Sequence, residues 1–304
     1  MSDRPELLLF PRWVVTVDDA DRVLTEHAVA VRDGRIAAVL PADEARRRWP
    51  GVEAVELDDH ALMPGLINAH THAAMSLLRG LADDLPLMQW LQEHIWPAEA
   101  RWVDEQFVHD GSALAVAELL RGGVTCINDM YFFPEVTARL ADEIGLRAVI
   151  GMIVLDFPTQ YADGPEQYLE KGLALHDRYR NHAMVQTAFA PHAPYTVSDG
   201  PLERIRTYAD ELDVPIQMHV HETRGECDHA AAEHGERPLA RLERLGLLSP
   251  AFCAVHMTAL DEDEIAAVAR SGASVVHCPE ANLKLASGFA PIHRLQKAGV
   301  NVAL

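Results

Sequence analysis

Histidine stands where short apolar runs of this chain come to an end. His70-Thr71-His72 closes one such run, His219 and His221 another, and His192, His256 and His277 close three more. Alternate residues of an extended strand face the same way, so His70 and His72 can turn both imidazoles toward one metal ion. Imidazole nitrogens are ordinary zinc ligands, and a catalytic zinc keeps one position open for water, whose pKa falls to about 7. A carboxylate is then needed to move protons between that water and a substrate. Glu222, three residues after His219, is the candidate; the plainer reading is a surface glutamate beside Arg224. His221 shares a strand face with His219 and is left without a role. His256, in Cys253-Ala254-Val255-His256, suits either metal ligation or a hydrogen bond that holds the attacking water in line. His192 lies in the stiff Ala190-Pro191-His192-Ala193-Pro194-Tyr195 turn, fit to hold a group against a substrate or simply to make the turn. His277 also reads as core, and Asp129 and Asp156, which end strands too, read as turn residues.

These side chains converge only if the runs that carry them are neighbours in one sheet. Strands are expected near Leu62–Ala69, Val124–Asp129, Arg147–Leu155, Met184–Ala190, Pro215–Val220, Phe252–His256, Ala273–His277 and Val300–Leu304. Helices are expected between them over Asp104–Arg121, Pro134–Ile144, Glu166–Tyr179, Leu202–Leu212, Pro238–Leu245 and Glu262–Ser271. Gly122-Gly123, Gly145, Gly272 and Gly299 stand where a helix must stop before the next strand. Strand and helix in alternation spell a parallel sheet, and eight strands spell a (β/α)8 barrel. A doubly wound open sheet is the rival, but no G-x-G-x-x-G follows the first strand. In a barrel, function gathers at the C-terminal strand ends. Seven of the 16 histidines fall there. Ahead of the barrel, Trp13–Val17, Ala28–Arg32 and Ile36–Leu40 read as short strands, with Asp33-Gly34 as a hairpin turn. The chain ends at Leu304, at the eighth strand, and is therefore expected to lack a C-terminal part.

Composition narrows the partners. With 304 residues, 49% of them hydrophobic, the chain can bury a large core. Forty-six acidic against 26 basic residues give a net charge of −20, which would repel nucleic acid and an anionic membrane alike. No apolar run is long enough to span a bilayer, and Met1–Trp13 does not resemble a secretory signal. Cys126, Cys227, Cys253 and Cys278 are scattered, with no C-x-x-C pair, so a cytoplasmic protein without disulfides is expected. The H-x-E with P-C-x-x-C design of other zinc deaminases is absent, as is the G-x-S-x-G elbow of serine hydrolases.

Four stretches carry a resemblance that reaches through nearly the whole chain: MPGLINAHTHAAMSLLRGLADDLPLMQWL (63–91), APHAPYTVS (190–198), MHVHETRGE (218–226) and VVHCPEANLKLASG (275–288). Together they resemble the amidohydrolase superfamily, in the branch of methylthioadenosine/S-adenosylhomocysteine deaminases and triazine hydrolases. The resemblance implies the N-terminal part of a small β-sandwich over residues 1–61 and a metal-dependent barrel over residues 62–304. It implies His70, His72 and His219 as ligands of one Zn2+ per subunit, with Fe2+ or Mn2+ as alternatives, and Glu222 as the proton shuttle. By the same resemblance His256 steadies the nucleophile, while His192 and Glu99, in Trp96-Pro97-Ala98-Glu99, contact substrate. Glu99 suits ribose hydroxyls, although a helix-surface acid is its plainer reading. The family's fourth ligand, an aspartate after the eighth strand, is expected beyond Leu304, so these 304 residues alone are expected to be inactive. Some members carry an arginine where Ile150-Gly151 stands here, which favours an uncharged substrate tail. The implied reaction is hydrolytic deamination of an adenine nucleoside, foremost 5′-methylthioadenosine, then S-adenosylhomocysteine or adenosine. The competing readings are triazine dechlorination, guanine deamination, or a homologue that binds metal or a partner without chemistry. The expected partner is the small-molecule nucleoside, and a homo-oligomer is left open.

Overall fold

The computed structural model describes residues 4–304 and divides into two compact units, the first ending at Gly65 and the second running from Leu66 to Leu304. In the first unit β1 (Leu7–Val15), β2 (Val23–Thr25), β3 (His27–Arg32), β4 (Arg35–Pro41) and β5 (Glu53–Leu62) form one five-stranded sheet. Asp33 and Gly34 both adopt positive φ, 51° and 68°, which is the backbone a tight β3–β4 hairpin needs. Leu8, Phe10, Ala28, Ala30 and Leu40 form its core with Trp49, beside the helix Ala42–Arg48. The expected strand Trp13–Val17 starts earlier, at Leu7, and ends at Val15. β5 escapes a reading by pattern. Its sequence EAVELDDHAL is mostly exposed and carries four acids, and it is held by parallel pairing with β1, which lies some 45 residues earlier in register (Leu7 opposite Glu53). That register shifts between Pro11 and Trp13, where proline has no N–H to offer the ladder.

The second unit is the (β/α)8 barrel. Its strands are β6 (Leu66–Thr71), β7 (Val124–Asp129), β8 (Arg147–Val154), β9 (Val185–Pro191), β10 (Ile216–Val220), β11 (Phe252–His256), β12 (Ser274–Val276) and β13 (Val302–Ala303). They pair in parallel in chain order, and the Ala69 N–H donates to the Leu304 carbonyl at 2.7 Å, joining the first strand to the last. The barrel starts later than the expected Leu62–Ala69. Leu62 ends β5, and Pro64-Gly65 breaks the chain before Leu66.

Local signals set the helix ends. Asp104 accepts from the Phe107 N–H at the start of Glu105–Arg121, and Asp261 with Glu264 forms a reciprocal capping box at the start of Glu262–Ser271. Gly145 and Gly272 stop their helices in the left-handed region, at φ 72° and 74°. Helices Leu87–Trp90, Trp96–Trp102, Arg224–His234, Pro279–Lys284 and Ile292–Lys297, and a π-helical turn over Leu91–Ile95, were not anticipated. Most span only a turn or two, too short to show a period. Phe189, Met218, Phe252, Leu202, Ile205 and Val268 fill the space between sheet and helices. Helix Glu105–Arg121 lies so close to the turn after His72 that a Cβ at Gly111 would sit 2.3 Å from the Ala74 carbonyl oxygen.

Candidate active site

β6 and β10 bring His70, His72 and His219 together. Their Nε2 atoms form a triangle: 3.3 Å from His70 to His72, 3.2 Å from His72 to His219 and 3.0 Å from His219 to His70. The other ring nitrogens explain what that triangle is for. His72 Nδ1 bonds the Met130 carbonyl, and His219 Nδ1 bonds the His192 carbonyl at 2.8 Å. A carbonyl oxygen only accepts, so in both rings Nδ1 carries the hydrogen and Nε2 presents a lone pair. Burial holds His72 down to about 4, and burial, then the neighbouring imidazoles, holds His70 and His219 well below 6.5, so the rings are neutral. Neutral lone pairs aimed at one another repel unless a cation lies between them. Tetrahedral ligands about 2.0–2.1 Å from a zinc ion would stand about 3.3 Å apart, close to the observed spacing. The donor set fits a divalent metal.

Glu222 and His256 lie beside this triangle, both buried. Burial pushes the Glu222 carboxyl up to about 8 and His256 down to about 4. Glu222 Oε2 is 3.6 Å from His256 Nε2, while His256 Nδ1 lies 2.8 Å from Asn282 Oδ1. The amide oxygen accepts, so His256 Nε2 also presents its lone pair to the site. Glu222 lies just past the end of β10 and His256 is the last residue of β11, and both stand in stretches of unusual backbone: His221 has φ 52°, His256 78° and Met257 52°. Such residues cost on the order of 1–3 kcal/mol each and persist only where neighbours insist. Here Met257 N–H bonds the Val220 carbonyl, Thr258 N–H the His221 carbonyl, and Thr258 Oγ1 the Glu222 carbonyl. The left-handed step also corrects the expectation that His221 shares a face with His219. β10 ends at Val220, alternation stops there, and His221 Nε2 turns away to accept the Leu239 N–H at 3.1 Å.

A cavity of about 900 Å³ opens over the triangle. His70, His72, His219, Glu222, His256, His192 and Glu99 all line it, as does His277. Glu99 accepts a hydrogen bond from Tyr131 Oη at 2.8 Å, and burial pushes it up to about 7 against that bond. His192 Nδ1 meets Thr196 Oγ1 at 3.0 Å, and its carbonyl takes both the N–H and the Nδ1–H of His219. Trp90, Trp96, Phe157, Ile153 and Leu155 give the cavity an apolar wall. Among the described residues, those lining it include no lysine or arginine. Asp156 accepts the Ser198 N–H at 2.8 Å in the bend after β8, whereas Asp129 is not the expected turn residue: it is the buried last residue of β7 and accepts the Ala73 N–H at 2.7 Å. Four functional neighbours went unnoticed in the sequence: Tyr131, Asn282, Gln217 beside His70, and Glu226. Only Glu226 had a local signal, the capping pattern Thr223-x-x-Glu226.

Residues 61–304 match the family model described as the amidohydrolase family, and residues 28–51 match one described as an imidazolonepropionase-like composite domain of bacteria. A 5-methylthioadenosine/S-adenosylhomocysteine deaminase of Saccharophagus degradans is 54% identical over 299 residues, 98% of this chain and 67% of that protein. The crystal structure of an adenosine deaminase from Xanthomonas campestris, with bound zinc, has a TM-score of 0.96 at 52% identity, covering 98% of this chain and 68% of that one. Triazine hydrolase from Arthobacter aurescens has a TM-score of 0.88 over 97% of this chain and 70% of its own, but at 22% identity that likeness shows the fold alone. The chain spans about two thirds of the length of these relatives.

Proposed function

The chain belongs to the amidohydrolase family, and from that premise we propose that it is a zinc-dependent deaminase that hydrolyses the exocyclic amine from an adenine nucleoside. His70, His72 and His219 would hold the metal, which when bound supplies a Lewis acid that activates water at neutral pH. Glu222 is the acid–base group. Burial keeps its carboxyl protonated at neutral pH, so it can pass a proton to the ring nitrogen beside the amine-bearing carbon. As the water oxygen bonds to that carbon, Glu222 takes back one of the water's protons and the other passes to the amine; the carbon–nitrogen bond then breaks, ammonia leaves, and a ring carbonyl with a protonated neighbouring nitrogen remains. His256, with its Nε2 lone pair fixed by Asn282, holds the attacking water in line. His192 borders the adenine ring, and Glu99 accepts the ribose hydroxyls.

The observation that carries this reading is the triangle of three Nε2 lone pairs with Glu222 at its side, at the floor of one cavity. The preferred substrate is 5′-methylthioadenosine, ahead of S-adenosylhomocysteine and adenosine. An apolar wall without lysine or arginine supports an uncharged tail, and the names of the 54% and 52% identical relatives support an adenine nucleoside. The reading places the enzyme in the cytoplasm, supported by four free thiols, and the charge of −20 supports a small-molecule partner over nucleic acid or membrane. The test is loss of adenine absorbance by the intact, zinc-assayed protein with 5′-methylthioadenosine, S-adenosylhomocysteine and adenosine, against guanine and a triazine. Turnover confined to the adenine nucleosides is expected. Turnover confined to guanine or the triazine, or a protein that carries no zinc, overturns it.

A further inference from the structure

We propose that Glu226 is a positioning residue for Glu222, its carboxylate clamping the backbone turn that aims the Glu222 side chain into the cavity. Glu226 is the third residue of helix Arg224–His234, whose cap is Thr223: Thr223 Oγ1 accepts the Glu226 N–H at 3.1 Å. The Glu226 carboxylate does more than serve that cap. It reaches past it, accepting the His221 N–H on Oε1 at 3.2 Å and the Glu222 N–H on Oε2 at 2.8 Å, with the Thr223 N–H also turned toward it. Burial pushes this carboxyl up to about 8 and the backbone amides pull it back down; with both oxygens accepting, one side chain gathers the amides of two successive residues.

The clamp sits where the chain has most need of it. His221 is a non-glycine residue at φ 52°, a conformation it would leave without restraint. The carbonyl side of the same turn is tied by Thr258, whose Oγ1 donates to the Glu222 oxygen at 2.8 Å and whose N–H donates to the His221 oxygen at 2.9 Å. Among the described residues, the amide side has Glu226 alone. With both sides held, Glu222 leaves strand β10 pointing across to His256. The bonds of His70, His72 and His219 run to one another and to the Met130 and His192 carbonyls, not to Glu226, so removing the clamp is expected to leave these three histidines in place.

Glutamine at position 226 keeps the shape of the side chain but offers one acceptor and one donor where two acceptors are required, setting an NH2 against a backbone N–H. The proposal rests on Glu222 acting as the proton carrier, and the experiment separates the two readings. Intact wild-type protein, Glu226→Gln and Thr223→Ala are compared for zinc content, melting temperature, kcat and KM with 5′-methylthioadenosine. A small misplacement of a catalytic group costs about 100-fold, so Glu226→Gln is expected to lose about that much in kcat, with KM within twofold and zinc content unchanged. Thr223→Ala, which removes the helix cap and leaves the carboxylate, is expected to lower the melting temperature while kcat stays within threefold. An unchanged kcat in folded Glu226→Gln overturns the proposal, and so does equal loss of kcat in Thr223→Ala, or loss of zinc or melting of Glu226→Gln before assay. Absence of turnover in the wild type instead overturns the deaminase reading itself.

Discussion

Two carbonyl oxygens settle what the histidine cluster can bind, because Met130 and His192 force the protons of His72 and His219 onto Nδ1 and leave Nε2 bare. The same logic at Asn282 leaves His256 Nε2 bare beside Glu222. Replacing Glu222 by glutamine removes the proposed proton carrier while sparing those nitrogens. Turnover is expected to drop by roughly 10²–10⁴-fold with zinc still bound, as measured by kcat alongside metal analysis; loss of the metal with the activity would point to a structural role. Glu99 makes a pH prediction. Burial raises its pKa from 4.5 to about 7, and the Tyr131 hydroxyl pulls the other way. Only the carboxylate accepts two ribose hydroxyls, so KM is expected to fall as pH rises through about 7. Tyr131→Phe removes the donor, raises the Glu99 pKa further and should move that KM profile to higher pH. A profile that stays put would remove Glu99 from the substrate. The same raised pKa has a stability consequence. Between pH 4.5 and about 7 the unfolded chain releases the Glu99 proton first, so the folded state loses stability as pH rises. Glu99→Gln should therefore leave the urea midpoint unchanged near pH 4 and raise it at pH 8.5.

Elements place these residues through their ends and their closest approaches. The capping box Asp261/Glu264, the Asp104 cap and the glycine stops at 145 and 272 are local events, and the helices they bound lie within a residue or so of where the sequence puts them. β5 is the opposite case: its acidic, exposed sequence is a strand only because β1 lies beside it. Gly111 shows what an approach demands. Its missing Cβ lets helix Glu105–Arg121 press on Ala74, two residues past His72 and next to the Ala73 amide that Asp129 anchors. Gly111→Ala would put a methyl 2.3 Å from a carbonyl oxygen. It is expected to destabilise the fold by about 3 kcal/mol and to lower zinc occupancy, read by urea unfolding and metal analysis. A stable variant with full zinc would show that the helix can back away at no consequence to His72.

At the scale of the whole molecule, the barrel's first, fourth, fifth and sixth strands supply the site, so the site and the closed sheet stand or fall together. Zinc that binds only the folded ring of strands should stabilise it by about 4 kcal/mol at a thousandfold excess over Kd. The urea midpoint of the intact protein is expected to fall on chelation and return with zinc. Protons compete for the same nitrogens only where the folded, buried rings take them up, so this increment should persist below pH 6 and shrink as pH falls toward about 4. Equal midpoints with and without zinc at pH 8 would show that no metal occupies the triangle.

From the sequence by itself came the alternation of strands and helices, the gathering of histidines at strand ends, and the candidates His70, His72, His219, Glu222 and His256, because each is written in local periods of 2 and 3.6 residues or in short motifs. What the tertiary structure alone decided is direction and company. His221 follows the same alternation as His219 on paper, yet one left-handed step at φ 52° sends it to the Leu239 amide while Glu222 turns inward. Tyr131 meets Glu99 across 32 residues and Asn282 meets His256 across 26. Such pairings belong to the closure of the sheet, and no window of neighbouring residues contains them.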